Sequence, residues 1–203
     1  MLTSVFAQCI LFLTVRIFSE GLETRNAETP GRIASIIHSI GTSYFILCGE
    51  NAASIKTTLF AFVADFILNL VYNKSIRLSS ILHHVAGATL CAFSLYNKTY
   101  KNHIWAPITM SLVSMEMTNP IVHFSILCHD EFPYLFAMLK IPLSMLVLSA
   151  WFYIRIWNLG KNTFMTMNLM PIAYFGHWYV HCVLVLCGMQ IYWLWKLFKA
   201  AMK

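Results

Sequence analysis

Charge is what this chain has least of. Asp, Glu, Lys and Arg make up 11% of its 203 residues, whereas a water-soluble domain carries about a quarter. With 59% of the residues hydrophobic and a mean hydropathy of +0.66, too little polar surface is left to face water, so most of the chain must be solvated by lipid. Basic runs with interleaved aromatics are missing too, which excludes a nucleic-acid face; the net charge of +6 reports topology instead. The six cysteines (Cys9, Cys48, Cys91, Cys128, Cys182, Cys187) form no CxxC pair and lie within or beside apolar runs. They read as packing residues, not as a disulfide framework or zinc site. GxSxG, P-loop and dinucleotide fingerprints are absent. Residues 1–15 lack a basic residue and no small-residue cleavage site follows Arg16, so the N-terminal run reads as a retained span, not a secretory signal. No linker, low-complexity tract or internal repeat interrupts the chain.

What is present is apolar length. A bilayer crossing takes about 20 mostly apolar residues, and seven runs approach it: 2–18, 31–48, 55–72, 78–96, 104–128, 133–157 and 170–195. The expected fold is therefore all-α, a polytopic membrane protein of about seven transmembrane helices joined by short polar loops. Pro30 and Pro133 sit at helix starts, while Pro107, Pro120 and Pro142 fall inside spans and predict kinks. Trp105, Trp151, Trp157, Trp193 and Trp195 lie near span ends, as in an interfacial belt. Placing the N-terminus outside puts Arg25, Arg32, Lys74, Arg77, Lys196, Lys199 and Lys203 on the cytosolic side, against Lys56, Lys98, Lys101 and Lys161 opposite. That bias favours a cytosolic C-terminus.

Against this background a few side chains are out of place, because an ionisable group at mid-bilayer costs about 2.5–3.5 kcal/mol on insertion scales. Thr58, Ala61, Asp65, Asn69 and Tyr72 recur at helical spacing and form one stripe. Glu116 shares a span with Thr109, Asn119 and His123, and Pro120 should free a backbone carbonyl beside it. His83 and His84 are adjacent, with Gly87 and Ala88 leaving room one turn on. Arg32, Ser35 and His38 follow at successive i+3 positions. Taken singly such residues glue helices together, and Lys140 and Arg155 can snorkel to an interface. Taken together, Asp65, the histidine pair and Glu116 point to a shared polar interior. His177 and His181 have the i, i+4 spacing of two metal ligands but no supporting cluster, so they read as core or interface histidines and no metal or cofactor is expected. Asn73-Lys-Ser and Asn97-Lys-Thr match the N-glycosylation pattern, although both abut a span.

In order, Arg32-x-x-Ser35-x-x-His38, then Asp65, then His83-His84, then Glu116-x-x-Asn119-Pro120, then Arg155 resembles the TLC-domain family of membrane proteins over about residues 31–195. That family includes the ceramide synthases and smaller lipid-regulatory proteins. The resemblance implies a segment of one helix and loop over 1–30, a ring of six transmembrane helices around a central cavity over 31–195, and a short basic cytosolic tail over 196–203. It implies endoplasmic-reticulum membranes, membrane lipids as partners and acyl-CoA as a substrate. His83, His84 and Asp65 would then be the catalytic group, the imidazoles acting as base or acyl carrier and Asp65 orienting one of them. Arg32, His38, Asn69, Glu116, Asn119 and His123 would line the binding site. The acidic HDxxD element of ceramide synthases has no counterpart here. Glu116-Met117-Thr118-Asn119-Pro120 stands in that span, and His129-Asp130 is expected in a loop. Two functions follow, a lipid acyltransferase or a non-catalytic lipid sensor, carrier or trafficking factor. Ion or proton transport through Asp65, His83 and Glu116 is a third.

Overall fold

The computed structural model describes residues 2–21, 28–72, 78–169 and 178–201. Regular structure among these residues is helical throughout. It comprises α1 (Leu2–Glu20), α2 (Thr29–Leu47), α3 (Asn51–Tyr72), α4 (Leu78–Tyr96), α5 (Ala106–Ser114), α6 (Asn119–Glu131), α7 (Pro133–Ala150), α8 (Leu159–Leu169) and α9 (Trp178–Ala201). A 3-10 turn, Met115–Thr118, joins α5 to α6, and a π-helical stretch, Trp151–Asn158, joins α7 to α8.

Among the described residues four rods are long and apolar enough to cross a bilayer: Asn51–Tyr72, Leu78–Tyr96, Pro133–Leu169 and Trp178–Lys199. Between 17% and 28% of each is buried inside the protein, so most of their apolar surface faces outward, as lipid permits and water does not. Tyr96, Tyr134, Met138 and Ile141 are among the large side chains on that surface. The expected seven spans are thus met by four. Of the remaining three, α1 has an uncharged stretch of residues 2–15 ahead of Arg16 and Glu20. The polar residues of α2 include Arg32, Ser35, His38, Ser39, Thr42 and Ser43. Residues 106–131 are two short helices, not one rod. Pro107 and Pro120 consequently fall in first helical turns, where a missing N–H costs nothing, and Pro142 alone of the three lies within a helix. The sixth run does not stop at Trp157. It winds on to Leu169, 37 residues in all, or about 55 Å at helical rise.

Local chemistry sets the turns. Gly49 adopts φ +72, and the Glu50 N–H reaches back to the Phe45 carbonyl at 2.8 Å. This left-handed glycine cap reverses α2 into α3 within a few residues. α1 lies against α2 and α3. There the Gln8 side-chain amide donates to the Ile37 carbonyl at 3.1 Å, and a Cβ on Gly41 would come within 2.1–2.4 Å of that amide. Gly41→Leu should turn the Gln8 amide away from the Ile37 carbonyl and crowd the α1–α2 contact, destabilising the fold by about 1–3 kcal/mol, despite leucine's better helix propensity. Unfolding in a denaturing-detergent titration reads this out, and an unchanged midpoint would contradict it.

α2 packs on α3, α3 on α4, α4 on α9, α9 on the Trp151–Asn158 stretch, that stretch on α5, and α6 back on α2. Phe12, Ala34 and Ala61 knit α1 into this circuit. Leu90, Ile108, Tyr179, Val183 and Leu186 pack one end. At the same end Thr109 shares hydrogen bonds with Thr99 at 2.9 Å and Tyr179 at 3.3 Å. Thr109 therefore does not sit with Glu116 as its spacing predicts: α5 ends at Ser114 and Glu116 belongs to the 3-10 turn beyond it, about 10 Å further along at helical rise. With the Thr99 hydroxyl buried in that bond, Asn97 is a poor glycosylation acceptor; Asn73–Ser75 lie outside the described residues. Cys91 and Cys128 are buried, Cys9, Cys182 and Cys187 half-buried, and Cys48 is exposed, which corrects its reading as a packing residue; all six thiols are free.

Candidate functional site

A cavity of about 450 Å³ lies among α1, α2, α3, α4, α6, α9 and the π-helical stretch. Every one of these elements except α9 brings a charged or ionisable residue to it. From α3 the helical stripe delivers Thr58, Ala61, Asp65 and Asn69, while Tyr72 is exposed and packs its ring 5.8 Å from the Arg16 guanidinium. From α2 come Arg32, Ser35 and His38, from α4 His83 and His84, and from the α5–α6 region Glu116, Asn119 and His123. The nine site residues named from sequence therefore share one lining. Three guanidiniums (Arg16, Arg32, Arg155) face three carboxylates (Glu28, Asp65, Glu116) there. Lys140 is half-buried on α7, away from the lining, His181 is exposed on α9, and His177 lies outside the described residues.

Asp65 and His84 form the tightest unit. His84 Nδ1 is 2.7 Å from the Ser80 carbonyl, and a carbonyl can only accept, so Nδ1 carries a proton. Nε2 lies 2.9 Å from Asp65 Oδ2. Both His84 nitrogens are thus engaged, and the same Oδ2 accepts from Asn69 Nδ2 at 2.9 Å. His83 differs. Its ring is held edge-on by Phe62 at 5.0 Å and Trp193 at 5.1 Å, and its Nδ1 has no hydrogen-bond partner. His123 Nδ1 is likewise unpartnered. The room expected beside Gly87 is taken by Phe62, whose ring would stand 2.6 Å from a Cβ there.

Glu116 is buried, and its Oε2 accepts from Ser39 at 3.1 Å and Asn119 Nδ2 at 2.8 Å, with His38 Nε2 3.7 Å away. Arg155 is 5% exposed and does not snorkel. Nη1 donates to Gln190 Oε1 at 3.1 Å, Nη2 to the Met115 carbonyl at 3.0 Å and to Asn119 Oδ1, and Nε to Thr118 Oγ1, while the guanidinium stacks on Trp151 at 4.1 Å. The free carbonyl expected near Pro120 is that of Met115: the Asn119 N–H bonds Glu116 instead, which leaves Met115 to Arg155 and to the Thr118 hydroxyl. Trp151 is buried, its indole donating to the Gln190 carbonyl at 3.2 Å. Trp151 and Trp193 therefore line the cavity and are not interfacial, whereas Trp157 and Trp195 are exposed.

Arg32 pairs with Glu28 at 2.8 Å and with Asp130, and Thr29 Oγ1 donates to Glu131 at 2.7 Å. These links clip the start of α2 to the end of α6. His129 and Asp130 thus belong to the last turn of α6, not to a loop. Reading the sequence for site residues left out Arg16 and Gln190. Both obey the rule that found Asp65, a polar group within an apolar run. Among the described residues no group of three or more His, Cys, Asp or Glu is placed to hold a metal ion. No family model, curated protein or solved structure matches the chain.

Proposed function

We propose that this protein is a multi-pass membrane protein that takes a lipid into the cavity and that His83 is the base for acyl transfer from acyl-CoA to a lipid hydroxyl or amine. The observation carrying the proposal is a 450 Å³ hollow lined by both charged and aromatic side chains, with an imidazole, His83, whose Nδ1 has no hydrogen-bond partner beside a hydrogen-bonded His84–Asp65 pair. Its size falls within the roughly 300–1,000 Å³ of small-molecule sites. In the transfer, the acceptor's proton passes to His83 and its oxygen or nitrogen bonds to the thioester carbonyl carbon. The carbon–sulfur bond breaks, and the thiolate leaves with the proton as free coenzyme A. His84, tied to Ser80 and Asp65, positions the neighbouring ring. Lys196 and Lys199 near the end of α9 support a cytosolic C-terminus, and the resemblance supports endoplasmic-reticulum membranes.

A second reading is favoured by the guanidiniums of Arg32 and Arg155, which are already engaged by protein oxygens and stay committed when a tetrahedral oxyanion forms. On that reading the protein is a non-catalytic lipid carrier, sensor or trafficking factor. Incubating the purified protein with oleoyl-CoA and aliphatic alcohols or amines separates the two. Transfer yields ester or amide and free thiol in equal amounts. No product with either acceptor, from protein that still retains lipid, removes the transferase reading and leaves the carrier.

A further inference from the structure

We infer that Phe62 is a positioning residue for His83, and that the bare Cα of Gly87 is what admits its ring to that place. The inference rests on the acyl-transfer reading for its purpose and names the group that holds the proposed base in register.

His83 Nδ1 makes no hydrogen bond, so nothing polar fixes the ring at that atom. Rings stand around it instead: Phe62 from α3 at 5.0 Å, Trp193 from α9 at 5.1 Å and His84 at 5.6 Å, with interplanar angles of 83°, 79° and 75°. Near-perpendicular pairs at such separations are a favoured geometry of aromatic rings. Phe62 also meets His84, at 5.9 Å and 86°. Its own ring is wedged. It packs against the cluster of Ile55, Cys91 and Val113, and its Cε2 and Cζ lie only 2.6 Å from where a Cβ on Gly87 would be. Any side chain at 87 must therefore move the ring. Gly87 follows His83 by one helical turn on α4, so the helix that carries the proposed base also carries the notch for the ring beside it. Phe62, His83, His84 and Trp193 all line the cavity.

A base acts only when its lone pair meets the acceptor's proton, and a misplacement of about 1 Å can cost about 10²-fold. Fixing an imidazole by hydrogen bonds ties up its nitrogens, as the Ser80 carbonyl and Asp65 tie both nitrogens of His84. Ring contacts fix the plane of an imidazole and spend neither nitrogen. The polar clamp therefore suits His84, and the aromatic clamp suits the residue that has to take a proton.

Phe62→Leu, Gly87→Ala and the double variant separate positioning from packing. The detergent-purified full chain is read three ways: by its unfolding midpoint, by kcat and KM with oleoyl-CoA and an aliphatic alcohol or amine, and by the NMR signals of the His83 ring protons, assigned with His83→Gln. Each single variant should lower kcat about tenfold, the worth of one such ring contact, and leave KM unchanged. Gly87→Ala should also lower the midpoint. Adding Phe62→Leu should restore the midpoint, because the shorter side chain makes room for the methyl, but kcat should stay low, because no ring is left to orient the base. The His83 signals should move in all three variants as the Phe62 ring current is displaced or lost. Recovery of kcat together with the midpoint in the double variant would reduce the pair to packing and overturn the inference. Undiminished kcat in Phe62→Leu, or unmoved His83 signals, would overturn it as well. A wild type that transfers nothing removes the acyl-transfer reading: signals that still move then keep Phe62 as the group orienting the ring, and signals that stay put remove that too.

Discussion

Arg155→Met is expected to cost the fold about 3–5 kcal/mol, the scale for breaking a buried charge network by removing one member. The guanidinium's hydrogen-bond acceptors among the described residues are neutral: Thr118, Gln190, Asn119 and the Met115 carbonyl. Its counter-charge is reached through Asn119, whose Oδ1 accepts from Arg155 and whose Nδ2 donates to Glu116. Methionine keeps the volume but orphans those acceptors and leaves the buried Glu116 carboxylate with the hydrogen bonds of Ser39 and Asn119 and no guanidinium to offset its charge. Combining Arg155→Met with Glu116→Gln removes the stranded charge, so the double variant should be less destabilised than the sum of the singles. Equilibrium unfolding in mixed detergent micelles measures all three. A single variant within about 1 kcal/mol of wild type, the range of an exposed charge, would place Arg155 at an interface after all.

The second large effect falls on chemistry. His83→Gln should lower acyl transfer by about 10²- to 10⁴-fold, the usual contribution of a positioned general base, while lipid retention stays at the wild-type level. The separation is expected because His83 Nδ1 makes no hydrogen bond to the protein, so its loss strands no partner, and glutamine still fills the slot between Phe62 and Trp193. Transfer at an undiminished rate in His83→Gln would take the base role from this residue. Retention lost together with transfer would mean that the ring holds the bundle open and does not act on the acceptor.

How far these features could be read from the amino acids depends on how each signal arises. The stripe Thr58–Ala61–Asp65–Asn69 was legible because an unbroken α-helix converts spacing directly into a face. Pairing His84 with Asp65 was not, since the sequence gives two equivalent imidazoles and the choice rests on the Ser80 carbonyl fixing one ring. Thr109 and Glu116 share a face by spacing, but two helical turns of rise put Thr109 at the other end of the hollow, against Thr99 and Tyr179. Arg155, Trp151 and Trp193 were assigned to interfaces because each stands near the end of an apolar run, and run ends are where such residues usually meet head groups. In the Pro133–Leu169 rod the helix does not end with the apolar run. It continues through a π-helical stretch into the polar Gly160-Lys161-Asn162 turn, and the apparent end becomes an interior wall. Arg16 and Gln190 are lone polar groups in the sequence, and their meaning comes from neighbours on other helices, Asn69 for the one and Arg155 for the other.

Everything proposed for this site requires that its hollow be occupied by lipid in the membrane. Mass spectrometry of the intact protein, purified in mild detergent and washed free of bulk lipid, tests that directly. The expected spectrum shows the chain carrying a defined aliphatic ligand. A bare chain under conditions that keep the helices folded would contradict the account.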